Sequence, residues 1–315
     1  MKSFRRTNLL WGIVLLAIAA FVLAYALGYV PAGVWDTALR AAPALLILGG
    51  LSMLLRGRVP LGSLLSLLIT LALVAGIGVT AFSQRAGQQR DDNRVQIAQA
   101  LDPGVNLLRI QVDALATDIE ITLSNDPASG VTGQFVGSSE SEVDVNFSIG
   151  ADNSATLAIR ESQPAGLPRL DRIGRGALTL NLPAGVPVDI ELVGQDGDAI
   201  LNLDGLDLER LNVDVARGNL AATLPDYQPV LIGLNEINGS LRAGDGTLTL
   251  ILPQAMPARL QLDRGGGGID PVYDPAIFNY LVGDVLESRA IDPSGNFLQF
   301  TLTAPRGQIR VESLP

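Results

Sequence analysis

The chain has 315 residues, 48% of them hydrophobic, a formal net charge of −10 at pH 7, and neither Cys nor His. Without those two residue types, thiol chemistry, the commonest zinc sites and an imidazole proton shuttle are excluded. Charge is segregated: residues 1–94 hold nine basic and three acidic side chains, whereas 95–315 hold thirteen Arg and twenty-nine acids, so the larger part repels a polyanion and no nucleic acid is expected as a partner.

The basic start MKSFRR leads into residues 9–30, an uncharged apolar run. Residues 39–55 follow, with Arg40 near the start and Pro43 in the first turn, where a missing N–H costs little. Residues 61–82 form a third run without a charge. The two longer runs suffice to cross a bilayer as helices. Two further apolar spans after the first argue for a retained helix over a cleaved signal peptide. Lys2, Arg5, Arg6, Arg56 and Arg58 fall on one side of this three-helix block (residues 1–83) and mark it as cytoplasmic. The expected location is therefore the plasma membrane, multi-pass, with a cytoplasmic N-terminus and everything from residue 84 outside. The small-residue ladders Ala20, Ala24, Gly28 and Ala72, Gly76, Thr80 would let these helices approach one another closely.

The runs NLLWG at 8–12, Trp35-Asp36, APALLILGG at 42–50 and LLR at 54–56 resemble the LiaI–LiaF-like transmembrane region over about residues 5–58. The third span is an addition to that two-helix pattern. The resemblance implies a bacterial envelope protein that regulates or senses envelope stress through a membrane or envelope protein partner, besides its contact with the lipid bilayer.

Residues 84–94 read as a polar linker. Beyond them the pattern turns to short alternating runs bounded by Gly, Pro, Asn or Ser: IEITL at 119–123, VDVNF at 143–147, TLAI at 156–159. A repeat of the form G-x-L-x-[LA]-x-L-P occurs as GALTLNLP at 176–183, GNLAATLP at 218–225 and GTLTLILP at 246–253, with a looser GQIRVESLP at 307–315. Strands recurring in this way predict an all-β domain, a single-stranded β-helix or solenoid over 95–270, with a β-sandwich as the alternative. The bulky residues Tyr273, Phe278, Tyr280, Phe297 and Phe300 gather in 271–315, which reads as a C-terminal cap with the last strands.

The repeat copies resemble the toast-rack, or DUF4097-type, adhesin domain over about 105–265. That resemblance implies a β-helical fold and brings no catalytic residues. Residues 265–273, GGGGIDPVY, match a calcium-binding nonapeptide, but a single copy reads as a flexible turn, and no Lys-Ser/Thr follows to make a phosphate loop. Asp196, Asp198, Asp204 and Asp207 cluster in sequence and could in principle hydrolyse a glycoside or hold a hard cation; Asp at such turns more simply solvates them. Asn146 and Asn238 are sequons in form. No catalytic, cofactor-binding or metal-ligating residue is assigned. The expected function is that of a non-enzymatic, membrane-anchored envelope protein whose outer β-solenoid binds a partner, with an adhesin-like surface module as the alternative and a polysaccharide-acting enzyme as the weakest reading.

Overall fold

The four repeat copies become strands of one and the same sheet. In the computed structural model, which describes residues 87–124, 130–163, 174–226, 239–254, 256–266, 268–292 and 297–314, all secondary structure is β. The three expected membrane spans and the LiaF-like stretch lie outside the described residues.

Each rung of the fold is one strand in a first sheet followed by one in a second. β7 (Pro187–Asp196) crosses the first sheet, the chain turns at Gly197, and β8 (Ala199–Asn202) crosses the second. β9 (Asp207–Arg217) and β10 (Leu220–Thr223) repeat the path, as do β11 (Gly239–Asp245) and β12 (Leu248–Pro253). The long β2 (Leu107–Leu123) makes a whole rung alone: residues 107–113 pair in the first sheet and 117–123 in the second. β5 (Ser154–Ser162) with β6 (Gly176–Leu182), β13 (Ala258–Asp263) with β14 (Val272–Tyr273), and β17 (Leu298–Thr303) with β18 (Ile309–Leu314) complete the stack. Neighbouring rungs pair parallel, the solenoid-like arrangement that the repeat predicts; a sandwich would join antiparallel strands by Greek-key connections.

Stack order departs from chain order at both ends. The β5–β6 rung lies outside β2, and β17–β18 threads back between β11–β12 and β13–β14. The segment 271–315 thus supplies terminal strands and also an internal rung. Antiparallel strands extend the sheets beyond the last parallel rungs. β3 (Val131–Gly137) and β1 (Asn93–Gln99) extend the second sheet beyond β6. β4 (Glu142–Ile149) extends the first sheet beyond β5. β16 (Val285–Ser288) and β15 (Phe278–Leu281) extend it beyond β13 at the other end. A parallel stack ends in unpaired backbone groups, and such antiparallel cover limits pairing with other chains.

Alternation explains the core. In the repeat, Leu178, Leu220, Leu248 and Ile309 point inward at one level, and Leu180, Ala222, Leu250 and Val311 at the next. The first sheet answers with Ile110, Ile190 and Leu211, and with Val112, Leu192 and Val213. Each fully buried Leu or Ile stabilises the fold by about 1.5–3 kcal/mol. The repeat's first residue is Gly for a steric reason: a Cβ on Gly218, Gly246 or Gly307 would overlap the carbonyl of the glycine one rung below. The corner admits backbone against backbone and nothing more.

Candidate binding face

Since inward positions are apolar, function must lie on the outward ones, and the two sheets differ there. On the first sheet charged outward rows flank a mostly uncharged one that runs Ala158, Gln111, Glu191, Asn212, Ser240, Thr301, Gln261. Arg109, Asp189 and Arg210 align in register across β2, β7 and β9. Burial pushes the Asp189 carboxyl up, while Arg210 and Arg109 oppose that shift. Arg242 binds Asp214 at 2.7 Å and Arg259 binds Glu287 at 2.6 Å, with Arg259 also 5.0 Å from the Phe297 ring centre.

On the second sheet the outward residues are mostly uncharged. One row runs Ala98, Thr132, Asn181, Thr122, Asn202, Thr223 across β1, β3, β6, β2, β8 and β10, each in register with the next. Thr and Asn alternate over five successive strands, and Thr122 Oγ1 donates to Asn181 Oδ1 at 3.0 Å. At about 4.8 Å per strand this ladder is about 19 Å long. The adjacent row is Gln96, Gln134, Thr179, Glu120, Ile200, Ala221, Thr249, Arg310, with Glu120 and Arg310 its charges. At the β1 end the face dips into an open groove of about 510 Å³, lined by Gln96, Ala98, Thr132, Gln134, Thr179 and Asn181 among others.

The aspartates singled out in the sequence are divided between two corners. Asp196 and Asp198 flank the Gly197 corner. Asp196 accepts from Arg175 at 2.7 Å and pairs with Arg217 at 3.4 Å. Asp198 belongs to a backbone ladder: its N–H donates to Asp118 Oδ1 at 2.9 Å, and its own Oδ1 accepts the Asn219 N–H at 2.7 Å. Asn219 Oδ1 in turn accepts the Thr247 N–H at 3.0 Å. Asp204 and Asp207 lie at the turn between β8 and β9, around Gly205 at φ +79°. Asp196 and Asp198 hold their corner together, and the structure places Asp204 and Asp207 at a different turn, not in a pair around a substrate. Asp270 of the glycine-rich turn is bound by Arg264 at 3.0 Å, and Gly265 adopts φ +64°, as a turn requires. Among the described residues no three Asp or Glu side chains group as metal ligands would. Asn238 lies outside the described residues, and Asn146 is exposed on β4.

One buried acid escapes any sequence pattern. Glu161, at the end of β5, accepts from the N–H of Leu115 at 2.8 Å, the N–H of Ala116 at 3.1 Å and the Thr117 hydroxyl at 2.8 Å, all through Oε2. Its Oε1 accepts from the Ser141 hydroxyl at 2.8 Å. At this corner a side chain supplies the acceptor for two backbone N–H groups of β2. A buried carboxylate so fully hydrogen-bonded is a structural clamp.

No family model matches the sequence, and no curated protein matches it. The fold does have solved likenesses. A candidate cell adhesion protein from Clostridium sporogenes matches with a TM-score of 0.59 at 17% identity, over 70% of this chain and 100% of that one. A candidate adhesin from Bacteroides fragilis matches at 14% identity over 72% of this chain and 100% of that one, with a TM-score of 0.23. The first of these likenesses shows a shared fold.

Proposed function

We propose that the chain is a membrane-anchored bacterial envelope protein whose solenoid-like domain works outside the cytoplasm as a binding module. The second sheet presents its outward face to the partner. One observation carries this reading: the outward face of the second sheet carries a continuous Thr and Asn ladder over five strands with an uncharged groove at its β1 end, whereas the first sheet's outward face includes the ion pairs Arg242–Asp214 and Arg259–Glu287. The likeness to the Clostridium cell adhesion candidate supports the binding role, and the apolar runs at 9–30, 39–55 and 61–82 support the anchor. Interior positions are filled with Leu, Ile, Val and Ala, which leaves chemistry to surfaces and favours recognition over catalysis.

Protease added to intact cells tests the sidedness. Digestion of residues 95–315 with survival of the membrane block supports the reading; full protection until the membrane is permeabilised overturns it. The regulatory role that the LiaF-like resemblance implies has its own test. An envelope-stress reporter whose response changes on deletion of this chain supports it, and an unchanged reporter leaves surface binding as the role.

A further inference from the structure

We propose that the groove at the β1–β3–β6 end of the second sheet binds an uncharged polysaccharide, an inference that rests on the reading of this sheet as the binding face. The lining carries the argument. Gln96, Thr132, Gln134, Thr179 and Asn181 offer amides and hydroxyls, groups that both donate and accept, as the hydroxyls of a neutral sugar do. Gln96, Thr132, Gln134 and Thr179 make no side-chain hydrogen bond among the described residues, so their capacity is open to a ligand. Ala98 and Ala177 keep the floor low between them.

Charge and backbone narrow the ligand class. No charged side chain lines the groove, and residues 95–315 carry a large excess of acid, so an anionic polymer is repelled from the domain. A peptide binding as an added strand needs free ladder groups. Within the groove, β3 and β6 are paired on both sides, β3 to β1 and β6, β6 to β3 and β2, and β1, paired to β3, has free ladder groups at its outer edge and not inside the groove. A chain of neutral sugars needs only side-chain donors and acceptors. The Thr and Asn ladder continues from the groove across β2, β8 and β10, so a polymer that starts in the groove meets further partners at each strand.

The test is co-sedimentation of the full-length chain, in lipid nanodiscs, with cellulose, chitin and insoluble β-1,3-glucan, against an alginate gel as the anionic comparison. At least one neutral polymer should retain the chain about tenfold more than alginate does. The double substitution Gln134→Ala with Thr179→Val, at outward positions that leave the core intact, should cut that retention about tenfold. Arg242→Ala on the other sheet should leave it unchanged. The inference is overturned by three results: no retention on any neutral polymer, equal retention on alginate, or retention that survives the double substitution. If the neutral polymers fail while an impermeant label still reaches this face on intact cells, the ligand class is wrong and the outward-facing module stands. If no label reaches the face from outside, both fall together.

Discussion

Gly246 lies directly over Gly218, so close that a Cβ on the upper residue would overlap the carbonyl oxygen of the lower one. The same relation links Gly218 to Gly197 and Gly307 to Gly246. This corner sets the pitch of the stack, because the upper residue can approach the carbonyl below it only without a Cβ, as Gly197 also does over Thr117. Gly246→Ala should therefore lower stability by about 2–4 kcal/mol. Gly104, with nothing within 4 Å of a built Cβ, should accept Ala within about 0.5 kcal/mol. Thermal unfolding of the full chain, followed by circular dichroism, separates the two.

Glu161 should behave as a clamp whose value lies in accepting hydrogen bonds. Glu161→Leu strands the Leu115 and Ala116 N–H groups in a buried corner and should cost about 2–4 kcal/mol. Glu161→Gln keeps one oxygen for the corner donors and turns its amide toward Ser141, whose hydroxyl can accept, so about 1 kcal/mol is expected. Denaturant midpoints give both values. Equal losses for the two variants would show that the negative charge matters more than the acceptor.

Asp198 tests the corner ladder against a catalytic role for the aspartates. Asp198→Asn keeps an acceptor for the Asn219 N–H and should be nearly neutral in stability. Asp198→Ala removes it and should cost about 1 kcal/mol. A reading in which Asp198 served as a general acid or base would lose its activity in both variants alike.

Two carboxyls push the acid limb of stability in opposite directions. Asp284 accepts from the Tyr280 hydroxyl and from Arg264, which hold its carboxyl below the usual 3.8. Its contribution is present above that value and is lost as pH falls through the lowered one. Asp189 is raised above 3.8 by burial, so it weakens the fold as pH rises past 3.8. Asp284→Asn should flatten the loss of stability in acid, whereas Asp189→Asn should raise stability at neutral pH. The Tyr280 hydroxyl, now held above its ordinary value chiefly by its bond to Asp284, should ionise at lower pH in Asp284→Asn. Tyrosine absorbance against pH reads that change.

Much of this domain is legible in the sequence because its repeat states both alternation and punctuation. Gly176, Gly218, Gly246 and Gly307 each open a strand of the second sheet where the motif places one. The stack order is not legible. Nothing local in β17 and β18 tells that they thread back beside β11 and β12, since that choice depends on which edges the rest of the chain leaves open. The binding face is hidden for the same reason. Thr132, Asn181, Thr122, Asn202 and Thr223 form one row only once strand pairing, antiparallel at Thr132 and parallel beyond it, brings distant residues into register. Glu161 carries no motif at all; its meaning comes from the corner it fills.

The most direct test uses the absence of native cysteine. Asn202→Cys places a single thiol on the outward face of the second sheet, at an exposed position away from the core. A membrane-impermeant maleimide applied to intact cells should label it fully. Labelling that appears only after permeabilisation would place the domain in the cytoplasm and contradict the account.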